Sequence, residues 1–377
     1  MHPPPRTVLT LNAGSSSLKA SLFTVGETEE RNGSANFDQL DDPARIDDAV
    51  RDALTSLVGG RDRMPDVVAH RIVHGGPHHM EPERITGGLI AALEDLLPLN
   101  PDHLPQALAV IRTTTEQYPS VPQVACFDTA FHRTLPRLAQ LYPLPRHLRD
   151  LGLRRYGFHG LSCELIVGEL GKMAPVAPER VIIAHLGNGA SMTAVRAGRS
   201  IETTMGFSPT GGLVMGTRSG DLDPSVLVYA QRTLEMTTDA MGDLVNRESG
   251  LIALSETTHD MRSLLAREPD DPRAADAIGL FCYSARKALG GLIAVLGGLD
   301  VLVFTGGIGE HAPAVRARIC DSLGCFGIEL DADLNAGNAA LISRNPAVQV
   351  RVIPADEERM LARHACRFLR TEGVTHV

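Results

Sequence analysis

The chain has 377 residues, with 36 Lys+Arg against 45 Asp+Glu and a formal net charge of −9. That length fits two domains, and 43% hydrophobic against 21% charged residues excludes disorder as the main state. The acidic balance argues against nucleic acid or an anionic membrane surface as the main partner. A local cluster of cations can still receive an anionic small ligand. Basic residues are almost all Arg; the lysines are Lys19, Lys172 and Lys287. The chain has no Trp, 5 Tyr and 10 Phe, so stacking on aromatic rings is not expected to dominate recognition. Six Cys without a CxxC pair read as reduced thiols of a cytosolic protein. The opening Met1–Arg6 lacks an apolar run, so no signal peptide is expected. The longest apolar stretch, Ala288 to Leu299, is interrupted by Gly and ends at Asp300. It falls short of the ~20 residues a membrane span needs.

In chain order, Thr7–Leu11, the small-residue turn Asn12–Ser17 and Leu18–Phe23 read as strand, tight turn, strand. The span Glu27 to Asp48 is polar and reads as irregular. Val67 to Val73 reads as a strand ending in His74-Gly75-Gly76, and Gln123 to Phe127 as a strand ending in Asp128. Arg180–Leu186, Gly187–Ser191 and Met192–Val195 repeat the strand–turn–strand pattern. Leu11-Asn12-Ala13-Gly14 aligns with Leu186-Gly187-Asn188-Gly189 at a constant offset of 175 residues, close to half the chain. This suggests two related domains that each open with a Gly/Ser hairpin. Residues 267–275 read as a loop. Residues 276–296 form an amphipathic helix, with Ile278, Phe281, Cys282, Ala285, Leu289, Leu292, Ile293 and Leu296 at helical spacing and Gly297-Gly298 as its stop. Val301–Phe304 is a buried strand, and Gly306–Gly309 leads into a helix with Val315, Ile319 and Leu323 on one face. Val350–Ile353 is the last strand, followed by a helix with Asp356 as N-cap. Together these elements specify an α/β protein with mixed sheets.

The Gly/Ser turns and the Gly-rich strand-to-helix turn can cradle anions, because their backbone N–H groups and hydroxyls surround phosphate oxygens. A P-loop is absent, since Met173 follows Lys172. Gly307-Ile308-Gly309-Glu310-His311-Ala312 matches a dinucleotide fingerprint, with Glu329 at a suitable distance. It lies too near the chain end for a doubly wound domain to follow. Local sequence leaves several residues open. Arg71 suits a surface ion pair as well as an anion clamp, and Asp128 suits a turn cap as well as catalysis. His159 suits the core as well as a site, and Glu357 would be favoured at a helix N-terminus in any case.

Several motifs together resemble the acetate kinase family. They are Asn12–Lys19, His70–Gly76, Phe127–His132, Arg155–Gly160, His185–Gly189, Gly206–Pro209 with Met215–Pro224, Thr305–Glu310 and Asp356-Glu357-Glu358. They occur in family order from end to end. The resemblance implies two duplicated actin-like (ribonuclease H-like) domains, mixed sheets flanked by helices, and an active site in the interdomain cleft. It implies an N-terminal domain over 1–132, a nucleotide-binding domain over 133–359 and a returning helix over 360–377.

Residue by residue, the resemblance implies Arg71, Asp128, His159 and Arg218 as catalytic. ATP would be bound by Asn12, Ser15, Ser17, Lys19, His185, Asn188, Gly189, Asp260, Arg262, Gly307, Ile308 and Gly309. Arg71 and Arg218 would hold the carboxylate and the phosphoryl group in flight, while Val73, Leu99, Phe158 and Pro209 pocket the acyl methyl. Asp128, Glu357 and Asn12 would serve Mg²⁺. The chemistry suits these residue types: phosphoryl transfer needs in-line positioning and neutralised oxygens, and Arg stays charged and binds bidentately.

The implied reaction is ATP + acetate ⇌ ADP + acetyl phosphate, in a cytoplasmic homodimer without nucleic acid or membrane partners. One alternative is a propionate or other short-chain acyl kinase, although Val73 favours acetate. A more distant one is an actin- or chaperone-like ATP switch, which would not need Arg71, His159 or the apolar pocket. The chain departs from the family pattern in four places. Leu99-Asn100 lacks an intervening His, with His103 as the nearest substitute. Leu161-Ser162-Cys163 replaces Thr-Ser-His, His311 replaces Asn, and Thr210-Gly211-Gly212 lacks the usual acidic residue.

Overall fold

The structure, a computed structural model, describes residues 4–14, 17–38, 43–59, 64–173 and 177–374. The chain divides into two compact units. The first comprises residues 1–133, 160–165 and 356–377, and the second residues 134–159 and 166–355.

The first unit contains β1 (Arg6–Ala13), β2 (Ser17–Val25), β3 (Glu29–Asp38), α1 (Pro43–Val58), β4 (Val67–Ile72) and β5 (Glu83–Arg84). It continues with α2 (Gly87–Asp95), α3 (Leu104–Gln117) and β6 (Gln123–Phe127). The short helices α4 (Arg137–Gln140) and α5 (Arg146–Arg149) belong to the second unit, and of α6 (Gly160–Met173) residues 160–165 belong to the first. The second unit holds β7 (Arg180–Leu186), β8 (Ala190–Arg196), β9 (Arg199–Thr203), α7 (Pro224–Thr233), α8 (Thr238–Asn246), α9 (Gly250–Ser255) and α10 (Met261–Arg267). It goes on through α11 (Pro272–Leu296), β10 (Val301–Thr305), α12 (Gly306–His311), α13 (Pro313–Cys320), α14 (Ala332–Ala336) and β11 (Gln349–Val352). The last helix, α15 (Glu357–Val374), returns to the first unit.

The two sheets share one plan. The first has the order β3-β2-β1-β4-β6-β5 and the second β11-β10-β7-β8-β9. In each, three antiparallel strands from two successive hairpins are followed by two parallel ones. The 175-residue offset is therefore a duplication of topology as well as of sequence. Antiparallel strands within each sheet also set it apart from the parallel sheet of a dinucleotide-binding domain.

Period-2 alternation along β1 sorts its side chains between two cores. Leu9, Leu11 and Ala13 join Ile46, Val50, Leu54 and Val110 on the α1/α3 face. Val8 joins Phe23, Val67, Ala69, Leu161, Leu361 and Ala365 on the α6/α15 face. Covered on both sides, β1 is buried from Val8 to Ala13.

Three sequence expectations need correction. Within the expected irregular span 27–48, residues 29–38 form β3, which pairs with β2 along its length, and α1 begins at Pro43; residues 39–42 lie outside the described residues. As an edge strand, β3 buries little side chain and so carries no apolar signature. The expected loop over 267–275 shrinks to a short link, because Asp271 caps α11 and helix starts at Pro272. The Gly-rich turn at 306 is itself helical, and α13 stops at Cys320, before Leu323. Helix α11 is long and apolar enough to cross a membrane by length and composition alone. Its predicted stripe from Ile278 to Leu296 is buried, however, and it packs on β7, β8, α9, α10 and α13 as a core helix of the second unit.

Candidate active site

In the first unit a charged cluster grows from strand register. β1 and β4 run parallel with Thr10 beside Ala69 and Leu11 beside His70, which brings Asn12 and Arg71 level at the strand ends. Alternation puts both on the α15 face, with Val8, Val67 and Ala69. β6 ends one residue before Asp128, whose backbone N–H donates to Ile72 O. Arg71 donates from Nε (2.9 Å) and Nη2 (2.5 Å) to Asp128 Oδ2, and from Nη1 to Asn12 Oδ1 (3.0 Å). Asn12 Nδ2 donates in turn to Glu357 Oε2 (3.1 Å) and Glu358 Oε1 (3.0 Å) in the first turn of α15. Arg71 Nη1 lies 3.7 Å from Glu357 Oε2. Asp356 caps this helix by accepting from the Arg359 N–H, and also pairs with Arg31 of β3. Asn12 is thus a bridge with all its amide hydrogens committed, between the guanidinium and the two glutamates.

Burial opposes charge on Arg71, but Asp128, Glu357 and Glu358 together hold its guanidinium above its ordinary range. Asp128 is fully buried, and burial pushes its carboxyl up to about 6; Arg71 pulls it down while Glu357 pushes it up further. Asp128 Oδ1 is buried without a hydrogen-bond partner. Gly160 fits because its N–H donates to Asp128 O and a Cβ there would lie 2.0 Å from that oxygen.

In the second unit a second cluster forms at the ends of β7 and β8. His185 lies level with Ser191 across the hairpin and with Thr305 of β10 on its other side. These three side chains therefore share one face of the sheet. His159 lies on that face: its Nδ1 is 2.9 Å from Ser191 Oγ, and its ring stacks on His185 at 4.2 Å between centroids. His159 has φ 57, a left-handed conformation that costs a non-glycine residue strain. Arg155 holds the loop that imposes it. Its Nη1 donates to the carbonyls of Thr203, Thr204 and Met205 at 2.9, 3.1 and 3.3 Å, and its Nε to Ala139 O.

A Cβ on Gly189 would sit 3.2 Å from His159 Nε2 and 3.5 Å from Arg218 Nη1, so these three residues converge. Arg218 Nη1 also donates to Pro209 O at 3.3 Å. Its loop is shaped by Gly216, which donates to Asn188 O, and by the N–H groups of Leu251 and Ile252, which donate to Met215 O and Gly216 O. The turns 187–189 and 306–307 touch: a Cβ on Gly187 would lie 4.0 Å from Gly307 N.

Other expected residues sit as follows. Ser15 lies outside the described residues. Ser17 is half-buried and its carbonyl accepts from Gly14 N–H, while Lys19 is exposed on β2 opposite Asn12. Val73, Phe158 and Pro209 are buried and Leu99 half-buried. Asp260 caps α10, accepting from Ser263 N–H and Oγ, and these bonds hold its carboxyl below the usual range. Arg262 is exposed, and Gly307, Ile308 and Gly309 lie within α12. His103 is buried with Nδ1 3.0 Å from Asn100 Oδ1, and Cys163 is buried.

Sequence reasoning gave no role to Glu358, Ser191, Arg155 or Glu310. Glu310 Oε1 accepts from both Gly306 N–H and Ala355 N–H, tying α12 to the segment that follows β11. The adjacent motif residues were the available signal for all four.

The family model of the acetokinase family matches residues 7–363. An acetate kinase of Methylocella silvestris is 44% identical over 97% of this chain and 98% of its own. A solved propionate kinase from Francisella tularensis subsp. tularensis superposes with TM-score 0.86 at 31% identity, covering 96% of this chain and 99% of that one. A solved Porphyromonas gingivalis acetate kinase superposes with TM-score 0.83 at 31% identity, covering 97% and 100%.

Proposed function

Because the chain belongs to the acetokinase family, we propose that it is an acetate kinase, catalysing ATP + acetate ⇌ ADP + acetyl phosphate. The observation that carries this reading is the half-buried Arg71 held by Asp128 and Asn12 beside Glu357, with one Asp128 oxygen left unpartnered. Such an arrangement suits a carboxylate and a phosphoryl group better than a switch without acyl substrate.

Transfer is direct and in line. An acetate oxygen attacks the γ-phosphorus as the bond to the bridging oxygen of ADP breaks. Arg71 and Arg218 hold the carboxylate and the transferring group, and His159 donates a hydrogen bond to it. His185, Asn188 and Gly189 contact nucleotide phosphates, with Asn12, Ser15, Ser17 and Lys19 on the phosphate side. Asp260, Arg262, Gly307, Ile308 and Gly309 contact the nucleotide, and Val73, Leu99, Phe158 and Pro209 enclose the acyl methyl. Positioning and charge neutralisation suffice for this chemistry.

The residues fit Mg²⁺. Asp128 Oδ1 is a buried, unpartnered oxygen donor beside Glu357, and a hard cation takes one or two carboxylates plus phosphate oxygens. No cluster of three or more metal-holding side chains occurs among the described residues, in keeping with a metal carried chiefly by the nucleotide. Bound there, Mg²⁺ would neutralise charge on the phosphate oxygens, and Asp128, Glu357 and Asn12 would hold it. The reading also places the chain in the cytoplasm, where its free cysteines stay reduced. It also makes a second copy of the chain the expected partner.

Purified protein with Mg-ATP and acetate, propionate or butyrate, trapped with hydroxylamine, tests the reading. Acetyl hydroxamate is expected, and none from any acid overturns the kinase. Propionate is the second reading, and a higher kcat/KM for propionate than for acetate would establish it.

A further inference from the structure

Thr305 ends β10 and stands level with His185 in the sheet. Its side chain shares a face with His185 and Ser191, the face on which His159 lies. The residue is fully buried, and its Oγ1 has no hydrogen-bond partner. That is unexpected at this position. Thr305 precedes α12 with extended dihedrals (φ −147, ψ 171), the conformation in which a Thr hydroxyl normally accepts a helix N–H. Here it makes no cap hydrogen bond, and Glu310 Oε1 accepts from the N–H of Gly306, the first residue of the helix.

A buried hydroxyl left unpaired is a cost to the fold, and valine would fill the same volume without it. Steric need does not explain the hydroxyl, nor does helix capping. A ligand on the His159 face does.

We propose that the Thr305 hydroxyl donates a hydrogen bond to a phosphate oxygen of the bound nucleotide, completing a row with His185 and Ser191 across three neighbouring strands. The proposal rests on the kinase reading and assigns a residue to its phosphate side. No atom is transferred: the hydroxyl exchanges an unpaired state for a charge-assisted bond when nucleotide binds.

The test measures ADP binding by calorimetry and thermal unfolding of the ligand-free protein, for wild type, Thr305→Val and Thr305→Ser. Thr305→Val is expected to unfold at the same or a higher temperature than wild type, yet to bind ADP about tenfold more weakly, the worth of one hydrogen bond to a charged group. Thr305→Ser keeps the hydroxyl and is expected to bind ADP within about twofold of wild type. Opposite movements of stability and affinity are what a purely structural role cannot produce. Wild-type affinity in Thr305→Val overturns the assignment. So does a Thr305→Val protein less stable than wild type or unable to fold, because the hydroxyl then serves the fold. Equal weakening in Thr305→Ser overturns it as well. Wild type that binds no ADP overturns the kinase reading, and the assignment with it.

Discussion

Replacing Asp128 with Asn removes the one carboxylate that Arg71 grips directly. Burial raises the Asp128 carboxyl from 3.8 to about 6, against the pull of Arg71. That difference corresponds to about 3 kcal/mol spent keeping the group ionised at neutral pH. The sign follows from proton binding. Between about pH 4 and 6 the folded protein holds this proton more tightly than the unfolded chain does. Stability from this group is therefore greatest below the unfolded value and falls as pH rises through the folded one. About 1 kcal/mol of that fall lies between pH 5 and 7.5. Asn does not titrate, so the stability of Asp128→Asn relative to wild type should rise by this amount across the interval. The loss of Arg71's nearest counter-charge adds an offset at both pH values, moderated by Glu357 at 3.7 Å, and subtraction removes it. Urea unfolding of both proteins at pH 5 and 7.5, in EDTA, gives the four free energies. Turnover at pH 7.5 should fall by about 10² or more, the cost of a misset transition-state clamp. A relative stability that is flat or falls with pH would refute a buried, proton-raised Asp128, and near-normal turnover would remove it from the site.

Gly216→Ala would put a Cβ 1.9 Å from Asn188 Oδ1. Displacing Asn188 should raise the KM for ATP about tenfold with a smaller change in kcat, as initial rates against ATP will read. Val73→Ala enlarges a buried position of the proposed acyl pocket and should shift the propionate-to-acetate ratio of kcat/KM towards propionate by about tenfold, within the value of one methylene. Arg155→Lys loses the two-nitrogen fork that joins Ala139 O, through Nε, to the carbonyls of Thr203, Thr204 and Met205, through Nη1. It should lower kcat by about tenfold or more through His159 while the KM for ATP changes little; equal effects on both would mark a general loss of structure.

Local patterns made much of the fold legible. Strands such as Arg180–Leu186 and Gln123–Phe127 stand where apolar runs meet Gly or Asp. The amphipathic stripe of α11 is buried as its spacing requires. The repeat of 175 residues announced two sheets of one topology, because a hairpin turn is set by a few small residues. β3 escaped because backbone pairing with β2 holds it, and polar edge residues leave no trace of that. Glu310 and Arg155 escaped for a similar reason: their partners are backbone groups, and any residue supplies those.

The sequence by itself determined which chemical groups are present and where the chain turns, since both depend on neighbours a few residues apart. It supplied Arg71, Asp128, His159 and Arg218, and the glycines that free their turns. Only the tertiary structure decided what these groups hold. Asn12 meets Glu357 and Glu358 across more than three hundred residues, His159 stacks on His185, and the Thr305 hydroxyl is left without a partner. Hydrogen bonds and burial act over a few ångströms in space, and distance along the chain does not fix them.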